Sequence, residues 1–392
     1  MTNSPVKRVG VIGGGQLAWM MAGAAKTLDL QLIVQTPNAD DPAVSSADKI
    51  IQAPIDDVAA TAELALNCDV ITLENEFIPL DALQTLAQRG VCFRPDLDAL
   101  ASLLDKYHQR SYLHDIGLPV PQFRLLEASD LKIALQQQKF PLVLKARRHG
   151  YDGYGTFIVK SQADFLKLWE RLQPPSMLLE RFVPFEKELA IMAARGATGE
   201  IALYPVVETQ QEEQVCRRVI APARVSAKVR ANVEEIARIL LENLGAIGIF
   251  GIELFLTRGG ELLVNEIAPR THNSGHYTLD ACDISQFEMH LRSVAGLPLG
   301  VPQLNCAGAV MVNLLGYEHS ASDYLEKRGK IDEIPGVIVH WYGKTESRPG
   351  RKLGHVTVRL GEEEMGNANA IAKHSRDEIA RQIETLWYGN SQ

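Results

Sequence analysis

Two acidic residues, Glu253 and Glu266, lie in apolar segments on either side of the tripeptide Arg258-Gly259-Gly260. If the two glycines form a two-residue hairpin loop, the flanking segments pair as antiparallel strands and Glu253 lies opposite Glu266. Facing carboxylates repel each other, and a bridging cation removes that repulsion. With the amide of Asn265, they are hard oxygen ligands that suit Mg²⁺ bound together with nucleotide phosphates. Solvent-exposed acids on an edge hairpin remain the alternative, because a slip of one residue separates the carboxylates.

A second candidate site combines Lys145, at the end of an apolar segment, with the loop Gly150-Tyr151-Asp152-Gly153-Tyr154-Gly155-Thr156. A lysine held on a strand can neutralise a polyphosphate, while a flexible glycine-rich loop closes over the nucleotide and excludes water. The spacing is that of neither a Walker A motif nor a protein-kinase loop. A solvated hairpin with a lysine reaching into solvent is the alternative interpretation.

A third glycine-rich stretch, Gly13-Gly14-Gly15-Gln16-Leu17-Ala18, matches the pattern G-x-G-x-x-G/A between a predicted strand and a predicted helix. Backbone N–H groups at such a helix start can hold phosphate. A dinucleotide site also needs an acid near the end of the second strand, but that strand ends in Val34-Gln35-Thr36. NAD or FAD binding is therefore disfavoured, and a phosphate site and a tight structural turn both remain open.

Two cationic loops complete the set of candidates. Pro269-Arg270-Thr271-His272-Asn273-Ser274-Gly275-His276 follows the second acid directly and would lie beside a metal–phosphate centre. Arg348-Pro349-Gly350-Arg351-Lys352-Leu353-Gly354-His355 places three fixed cations around a turn. Such a turn can bind a substrate phosphate or can be solvated surface, and the residues alone favour neither.

The elements that must position these residues follow from the apolar pattern. A β-branched segment at 6–12, a helical segment at 16–28 and an apolar segment at 30–34 predict a parallel sheet at the start of the chain. Farther along, an amphipathic helix is predicted, with Ser226 able to cap its start and Gly245 its end. We predict an α/β fold with three domains, at residues 1–104, 105–300 and 301–392.

The 392 residues have a formal charge of -8, which argues against a non-specific nucleic-acid binder with a broad basic surface. The five cysteines are scattered and form no C-x-x-C pair, so neither a disulfide framework nor a zinc site is indicated. No apolar run reaches the roughly 18 residues that a membrane span needs. We therefore expect a soluble cytoplasmic protein with neither a nucleic-acid nor a membrane partner.

The strand lysine, the glycine-rich loop and the acid pair ending in Asn265-Glu266 together resemble the ATP-grasp superfamily. Within it, the run from Asn265 to His276 and the turn Arg348-Pro349-Gly350-Arg351-Lys352 are similar to the 5-(carboxyamino)imidazole ribonucleotide synthase family of purine biosynthesis. The resemblance spans nearly the whole chain. It implies a Rossmann-like N-terminal domain with a parallel sheet, a central ATP-grasp domain with a glycine-rich flap, and a small C-terminal domain.

The resemblance also implies a reaction. An ATP-dependent carbon–nitrogen ligase of this family carboxylates aminoimidazole ribonucleotide with bicarbonate, through carboxyphosphate, and releases ADP and phosphate. The implied metal ion is Mg²⁺ or Mn²⁺, and the implied assembly is a homodimer.

The same resemblance assigns site residues. The metal ligands would be Glu253 and Glu266, and the catalytic residues Arg270, His272 and Lys352. ATP would be bound by Lys106, Lys145, Gly150, Tyr151, Asp152, Gly153, Tyr154, Gly155, Thr156, Glu180, Arg181, Phe182, Val183, Glu188, Gln211, Asn265 and Glu266. The ribonucleotide would be bound by Gly15, Gln16, Leu17, Glu76, Asp152, His272, Arg348, Arg351 and Lys352.

Three positions depart from the family pattern. Tyr154 stands where the family often has a basic residue, Ala18-Trp19 where it usually has Gly-Arg, and residues 208–213 lack the usual His and Asp-Gly. These departures bear on affinity and substrate more than on reaction type. The alternative function is therefore another ATP-grasp ligase, such as formate-dependent glycinamide ribonucleotide formyltransferase or a biotin carboxylase-like enzyme. A dinucleotide-dependent oxidoreductase is disfavoured because this chain lacks the acid at the end of the second strand. A nucleotide-sensing protein is disfavoured because it would not need the acid pair.

Overall fold

The computed structural model describes residues 6–130, 139–148, 150, 154–361 and 371–389. These residues form three sheets, of four, nine and four strands, with helices packed against them. Within the same ranges, no helix has both the length and the apolar character needed to cross a bilayer.

A parallel sheet forms the first part of the chain, as predicted. Its strands are β1 (Arg8–Ile12), β2 (Gln31–Thr36), β3 (Lys49–Gln52) and β4 (Val70–Leu73), in the order β3-β2-β1-β4. The helices are α1 (Gln16–Thr27), α2 (Val58–Asn67), α3 (Leu80–Gln88) and α4 (Leu97–Ala101). Val9 and Val11 pack in one core and Ile12 in another, on the opposite face. Because both faces are covered, the central strands β1 and β2 are buried at every position but the first.

Helix α5 (Lys106–Asp115) precedes a smaller antiparallel sheet. Its strands are β5 (Phe123–Glu127), β6 (Leu142–Lys145), β7 (Thr156–Val159) and β8 (Ser176–Arg181), in the order β5-β8-β6-β7. Leu126 lies in its core with Phe165 and Trp169 from α6 (Gln162–Leu172). The β6-β7 hairpin holds the glycine-rich segment between its strands.

The largest sheet begins with β9 (Phe185–Arg195), β10 (Ile201–Leu203), β11 (Val207–Glu212), β12 (Val215–Ala221), β13 (Gly248–Thr257) and β14 (Leu262–Ala268). Helix α7 (Ala227–Leu244) is the predicted amphipathic helix, with Ser226 accepting a hydrogen bond from the Val229 N–H and Gly245 in the left-handed conformation at φ 66°. Val233 and Leu240 of α7 share a core with the inner faces of β9, β13 and β14. The opposite face of these strands packs in part in a second core, through residues such as Met192 and Ile249, and in part carries the site residues.

The strands that follow residue 300 continue this sheet. They are β15 (Gly308–Leu315), β16 (Val337–Trp341) and β17 (Lys352–Leu360), and the order is β14-β13-β9-β11-β12-β15-β17-β16, with β10 paired to β9. The remaining helices are α8 (Thr278–Ala281), α9 (Gln286–Ala295), α10 (Leu325–Asp332) and α11 (Ile371–Tyr388). Ile331 and Trp387 belong to a core of this part alone. The C-terminal part thus has its own core but shares its sheet, and the domain boundaries at residues 104 and 300 stay predictions.

Candidate active site

The β13-β14 hairpin pairs Glu253 with Glu266, as predicted, but by a different route. The Thr257 N–H donates to the Glu261 carbonyl at 2.9 Å, so the loop has three residues and the expected two-residue loop is wrong. A β-bulge on β14 then compensates, because Leu254 pairs with Val264 while the next residue, Glu253, pairs with Glu266. The bulge leaves Asn265 as the extra residue.

The bulge also decides which side chains face the site. Val264 and Ile267 both point into the core beneath α7, three positions apart, whereas an unbroken strand places such residues on opposite faces. Asn265 and Glu266 consequently share the other face. The Asn265 Nδ2 donates to Glu253 Oε2 at 3.3 Å. Two neighbouring residues of one strand therefore present polar groups to the same point.

Two lysines, Lys145 buried and Lys106 partly buried, face this acid pair. Lys145, at the end of β6, places its Nζ 2.9 Å from Glu180 Oε2 and donates to Asn265 Oδ1 at 2.9 Å. Lys106, the first residue of α5, places its Nζ 2.8 Å from Glu266 Oε2. Arg110, one turn later on α5, forms a second ion pair with Glu180 through Nε at 2.6 Å. The sequence did not indicate Arg110, because a charged residue in a predicted helix is usually interpreted as solvent-exposed.

The surroundings drive the two facing acids in opposite directions. Burial, followed by repulsion from Glu266 and Glu188, raises the pKa of Glu253 to about 7. Burial also acts to raise the pKa of Glu266, but the charges of Lys106 and Lys145 outweigh it and lower that pKa to about 2. A divalent cation between the two would favour the ionised form of Glu253, and every candidate ligand atom is oxygen. These residues therefore fit Mg²⁺.

One cavity of about 340 Å³ collects about half of the predicted residues. Carboxylates and cations from the largest sheet and from segments that follow strands of the two smaller sheets meet in its lining, which is the arrangement expected for a charged substrate beside a metal–nucleotide site. The predicted residues in the lining are Gln16, Leu17, Glu76, Lys106, Gly150, Tyr154, Thr156, Gln211, Glu253, Glu266, Arg270, His272 and Lys352.

Other predicted residues lie outside this lining. Glu188 is hydrogen-bonded by Gln211, and burial raises its pKa. Arg348 is exposed, and the Arg351 guanidinium donates to the Glu346 carbonyl at 2.8 Å. Of the cations in that turn, Lys352 is the one that lines the cavity among the described residues. The segment Glu180 to Val183, predicted to bind ATP, lies at the end of β8 and just beyond it.

A backbone hydrogen bond closes the base of the glycine-rich flap. Gly155 adopts φ 81°, which favours glycine, and its carbonyl accepts the Ala146 N–H at 2.7 Å. Tyr154 is 71% exposed at the edge of the cavity. Three residues predicted to bind ATP or substrate lie outside the described residues: Tyr151, Asp152 and Gly153.

The loop after β14 lies directly against β13. A Cβ atom on Gly251 would lie 2.6 Å from the His272 Cβ, so only glycine allows this approach. His272 Nε2 lies 3.7 Å from Glu253 Oε1, and its Nδ1 is 2.9 Å from Ser274 Oγ. Arg270 Nε forms an ion pair with Glu76 Oε1 at 2.9 Å. The loop thereby connects the acid pair with the N-terminal sheet.

Glu74, which sequence reasoning missed, occupies the first glycine loop. Its carboxylate accepts the N–H groups of Gly15 at 3.0 Å and Leu17 at 3.2 Å, and burial raises its pKa. A Cβ atom on Gly15 would lie 2.3 Å from Glu74 Oε1. The loop amides that could hold an external phosphate are therefore bound by the chain itself. The available signal was the acid directly after β4, at the carboxyl edge of the parallel sheet.

Three family models match the chain in succession. A ribonucleotide synthetase preATP-grasp domain matches residues 6–103, an ATP-grasp domain residues 111–287, and a phosphoribosylaminoimidazole carboxylase C-terminal domain residues 309–368. The N5-carboxyaminoimidazole ribonucleotide synthase of Synechococcus elongatus is 51% identical over 385 residues, which cover 98% of this chain and 96% of that protein. The enzyme of the same name from Bacillus subtilis is 36% identical, covering 97% and 95%.

Solved structures agree with these matches. The N5-carboxyaminoimidazole ribonucleotide synthetase of Thermotoga maritima superposes with a TM-score of 0.84 at 40% identity, covering 96% of this chain and 98% of that one. The synthase of Aspergillus clavatus, solved in complex with ADP and 5-aminoimidazole ribonucleotide, gives a TM-score of 0.87 at 31% identity, covering 99% and 100%.

Proposed function

This chain belongs to the N5-carboxyaminoimidazole ribonucleotide synthase family of the ATP-grasp enzymes, and we propose that its reaction takes place in the cavity around Glu253 and Glu266. It is an ATP-dependent ligase of purine biosynthesis that carboxylates 5-aminoimidazole ribonucleotide. The observation that supports this location best is the facing acid pair with Lys106 and Lys145 beside it.

For the nucleotide, we propose that Lys106 and Lys145 contact the phosphates of ATP. Both ammonium groups already lie within 3 Å of acceptors that converge on the acid pair. The segment Glu180 to Val183 would hold the adenine, Glu188 the ribose, and Gly150 to Thr156 would close over the phosphates. Glu253 and Glu266 would hold Mg²⁺ or Mn²⁺, which when bound neutralises charge on the transferring phosphoryl group.

The chemistry requires two bond exchanges. We propose that a bicarbonate oxygen forms a bond to the γ-phosphorus as the bond to the β-phosphate oxygen breaks, giving carboxyphosphate and ADP. The exocyclic amine of the ribonucleotide then forms a bond to the carboxyl carbon, phosphate leaves, and the amine gives up a proton. Carboxyphosphate hydrolyses readily, so the site must exclude water between the two steps. The flap that is anchored at Gly155 suits this role.

For the ribonucleotide, we propose the part of the cavity between His272, Arg270 and Lys352. Arg270 is fixed by Glu76, and His272 by Ser274. Lys352 supplies a positive charge from the start of β17, away from the acid pair, which suits the 5′-phosphate. Bicarbonate as the carbon source, the homodimer and the cytoplasmic location stay proposals.

Release of ADP tests the reaction. We expect ATP to be converted to ADP in the presence of bicarbonate only when 5-aminoimidazole ribonucleotide is added, and labelled bicarbonate to appear in the ribonucleotide product. The matched reaction contains formate and glycinamide ribonucleotide instead. Turnover with formate and none with bicarbonate would contradict the proposed carbon source and favour the formyltransferase alternative.

A further inference from the structure

A buried glutamine on α5 binds both peptide groups of the residue that follows Glu266. Gln109 is 5% exposed, its Oε1 accepts the Ile267 N–H at 2.8 Å, and its Nε2 donates to the Ile267 carbonyl at 2.9 Å. The same Nε2 donates to the Leu103 carbonyl at 2.9 Å. Among the described residues, β14 is the edge strand of its sheet, so these backbone groups have no neighbouring strand on that side. The amide of Gln109 takes the place of one.

A second buried glutamine makes the same pair of hydrogen bonds five residues later. Gln286, the first residue of α9, is fully buried. Its Oε1 accepts the His272 N–H at 2.9 Å, and its Nε2 donates to the His272 carbonyl at 2.8 Å. The same Nε2 lies 2.9 Å from His276 Nδ1. Residues 267–272 leave the sheet between these two attachments.

Each glutamine holds the backbone beside a different functional side chain. The first is next to Glu266, which faces Lys106 at 2.8 Å, and the second holds His272 itself. An amide side chain is suited to this because it offers a donor and an acceptor in fixed geometry, as a neighbouring peptide does. We infer that Gln109 is a positioning residue for the nucleotide half of the site and Gln286 for the ribonucleotide half. This inference rests on the roles proposed above for Glu266 and His272.

Gln109→Met and Gln286→Met test it, because methionine has a similar length and offers neither hydrogen bond. We expect Gln109→Met to raise the Michaelis constant for MgATP about tenfold and to change that for the ribonucleotide less than about twofold. Gln286→Met is expected to show the reverse, about tenfold for the ribonucleotide and less than about twofold for MgATP. A small displacement of a catalytic group is sufficient for effects of this size.

Gln35→Met is the matched control. Gln35 of β2 is also fully buried and makes three side-chain hydrogen bonds, to Pro54, Asp57 and Thr61, in and just before helix α2. The Gln35→Met variant should lower the melting temperature, as the Gln109→Met and Gln286→Met variants do, while leaving both Michaelis constants unchanged. Equal changes of both constants in each variant, or changes no larger than those in the control, would overturn the inference. If the methionine variants are insoluble, Gln109→Asn and Gln286→Asn keep the amide and add no charge, but are one methylene too short to make both hydrogen bonds.

Direct variants separate this inference from the assignments beneath it. Glu266→Gln should change mainly the Michaelis constant for MgATP, and His272→Asn mainly that for the ribonucleotide. If these two variants do not affect different Michaelis constants, the proposed roles of Glu266 and His272 are wrong. If they do, and the glutamine variants do not follow them, the roles stand and the positioning inference is wrong.

Discussion

Glu253→Gln is expected to stabilise the metal-free protein at alkaline pH, although it removes a residue proposed for function. The pKa of Glu253 is raised in the folded chain, so this carboxyl takes up a proton on folding. Above that pKa the folded protein must hold a charge that burial and the neighbouring Glu266 and Glu188 disfavour. Glutamine keeps the shape and carries no charge. The parent protein should therefore lose stability as the pH rises, and the variant should not.

The size of the effect follows from the two pKa values. Raising the pKa of Glu253 from its ordinary 4.5 to about 7 corresponds to about 2–3 kcal/mol of unfolding free energy, reduced slightly because the side chain is 25% exposed. Below about pH 4.5 the carboxyl is protonated in both states, and the two proteins should be equally stable. The difference should grow between about pH 5 and pH 7 and be complete near pH 8.

Urea unfolding with a chelator, at several pH values across this range, measures the difference directly. The control is Glu242→Gln, the same exchange at an exposed position of α7, which should stay within about 0.5 kcal/mol of the parent at every pH. Mg²⁺ with ADP should make the parent more stable than the Glu253→Gln variant at pH 8, because only the parent retains both proposed metal-binding carboxylates. A Glu253→Gln protein that is less stable than the parent in chelator at pH 8, or a difference that does not vary with pH, would refute the reasoning.

Three further predictions concern turnover and substrate binding. Glu266→Gln should keep the fold and lose Mg²⁺-dependent turnover, since a neutral amide cannot supply the second charge to the metal; near-parental rates at saturating Mg²⁺ would contradict the metal pair. Lys145→Met should weaken ATP binding and slow the chemical step together, and unchanged ATP affinity would remove Lys145 from the phosphate site. Lys352→Ala should raise the Michaelis constant for the ribonucleotide by about 10- to 100-fold, with ATP affinity unchanged and a much smaller effect of Arg351→Ala, which equal effects of the two would contradict.

The acid pair shows what the sequence could and could not predict. The facing of Glu253 and Glu266 was predicted from a two-residue loop, yet the loop has three residues and the bulge at Asn265 restores the pairing. Neither deviation is visible in the residue pattern, because bulges are decided by what packs on each face. The prediction was correct because two local departures cancel.

Long-range contacts explain the remaining omissions. Glu74, Gln109 and Gln286 act on backbone groups far along the chain, with separations of 59, 158 and 14 residues. In the sequence, polar residues of this kind cannot be distinguished from other polar residues of helices or loops until the fold is known. In contrast, the α7 helix and its caps at Ser226 and Gly245 depend on neighbouring residues, and both were predicted correctly.

The continuity of the largest sheet limits how this chain can be divided. β12 pairs with β15 from Arg218 to Ala221, so a fragment that ends near residue 300 would expose the edge of β12 to solvent. An open, apolar strand edge pairs readily with other chains, and such a fragment should self-associate. The C-terminal part would in turn present β15, whose eight residues are all buried in the intact chain. Recombining halves from two relatives at that position therefore requires matched strand edges as well as matched sites.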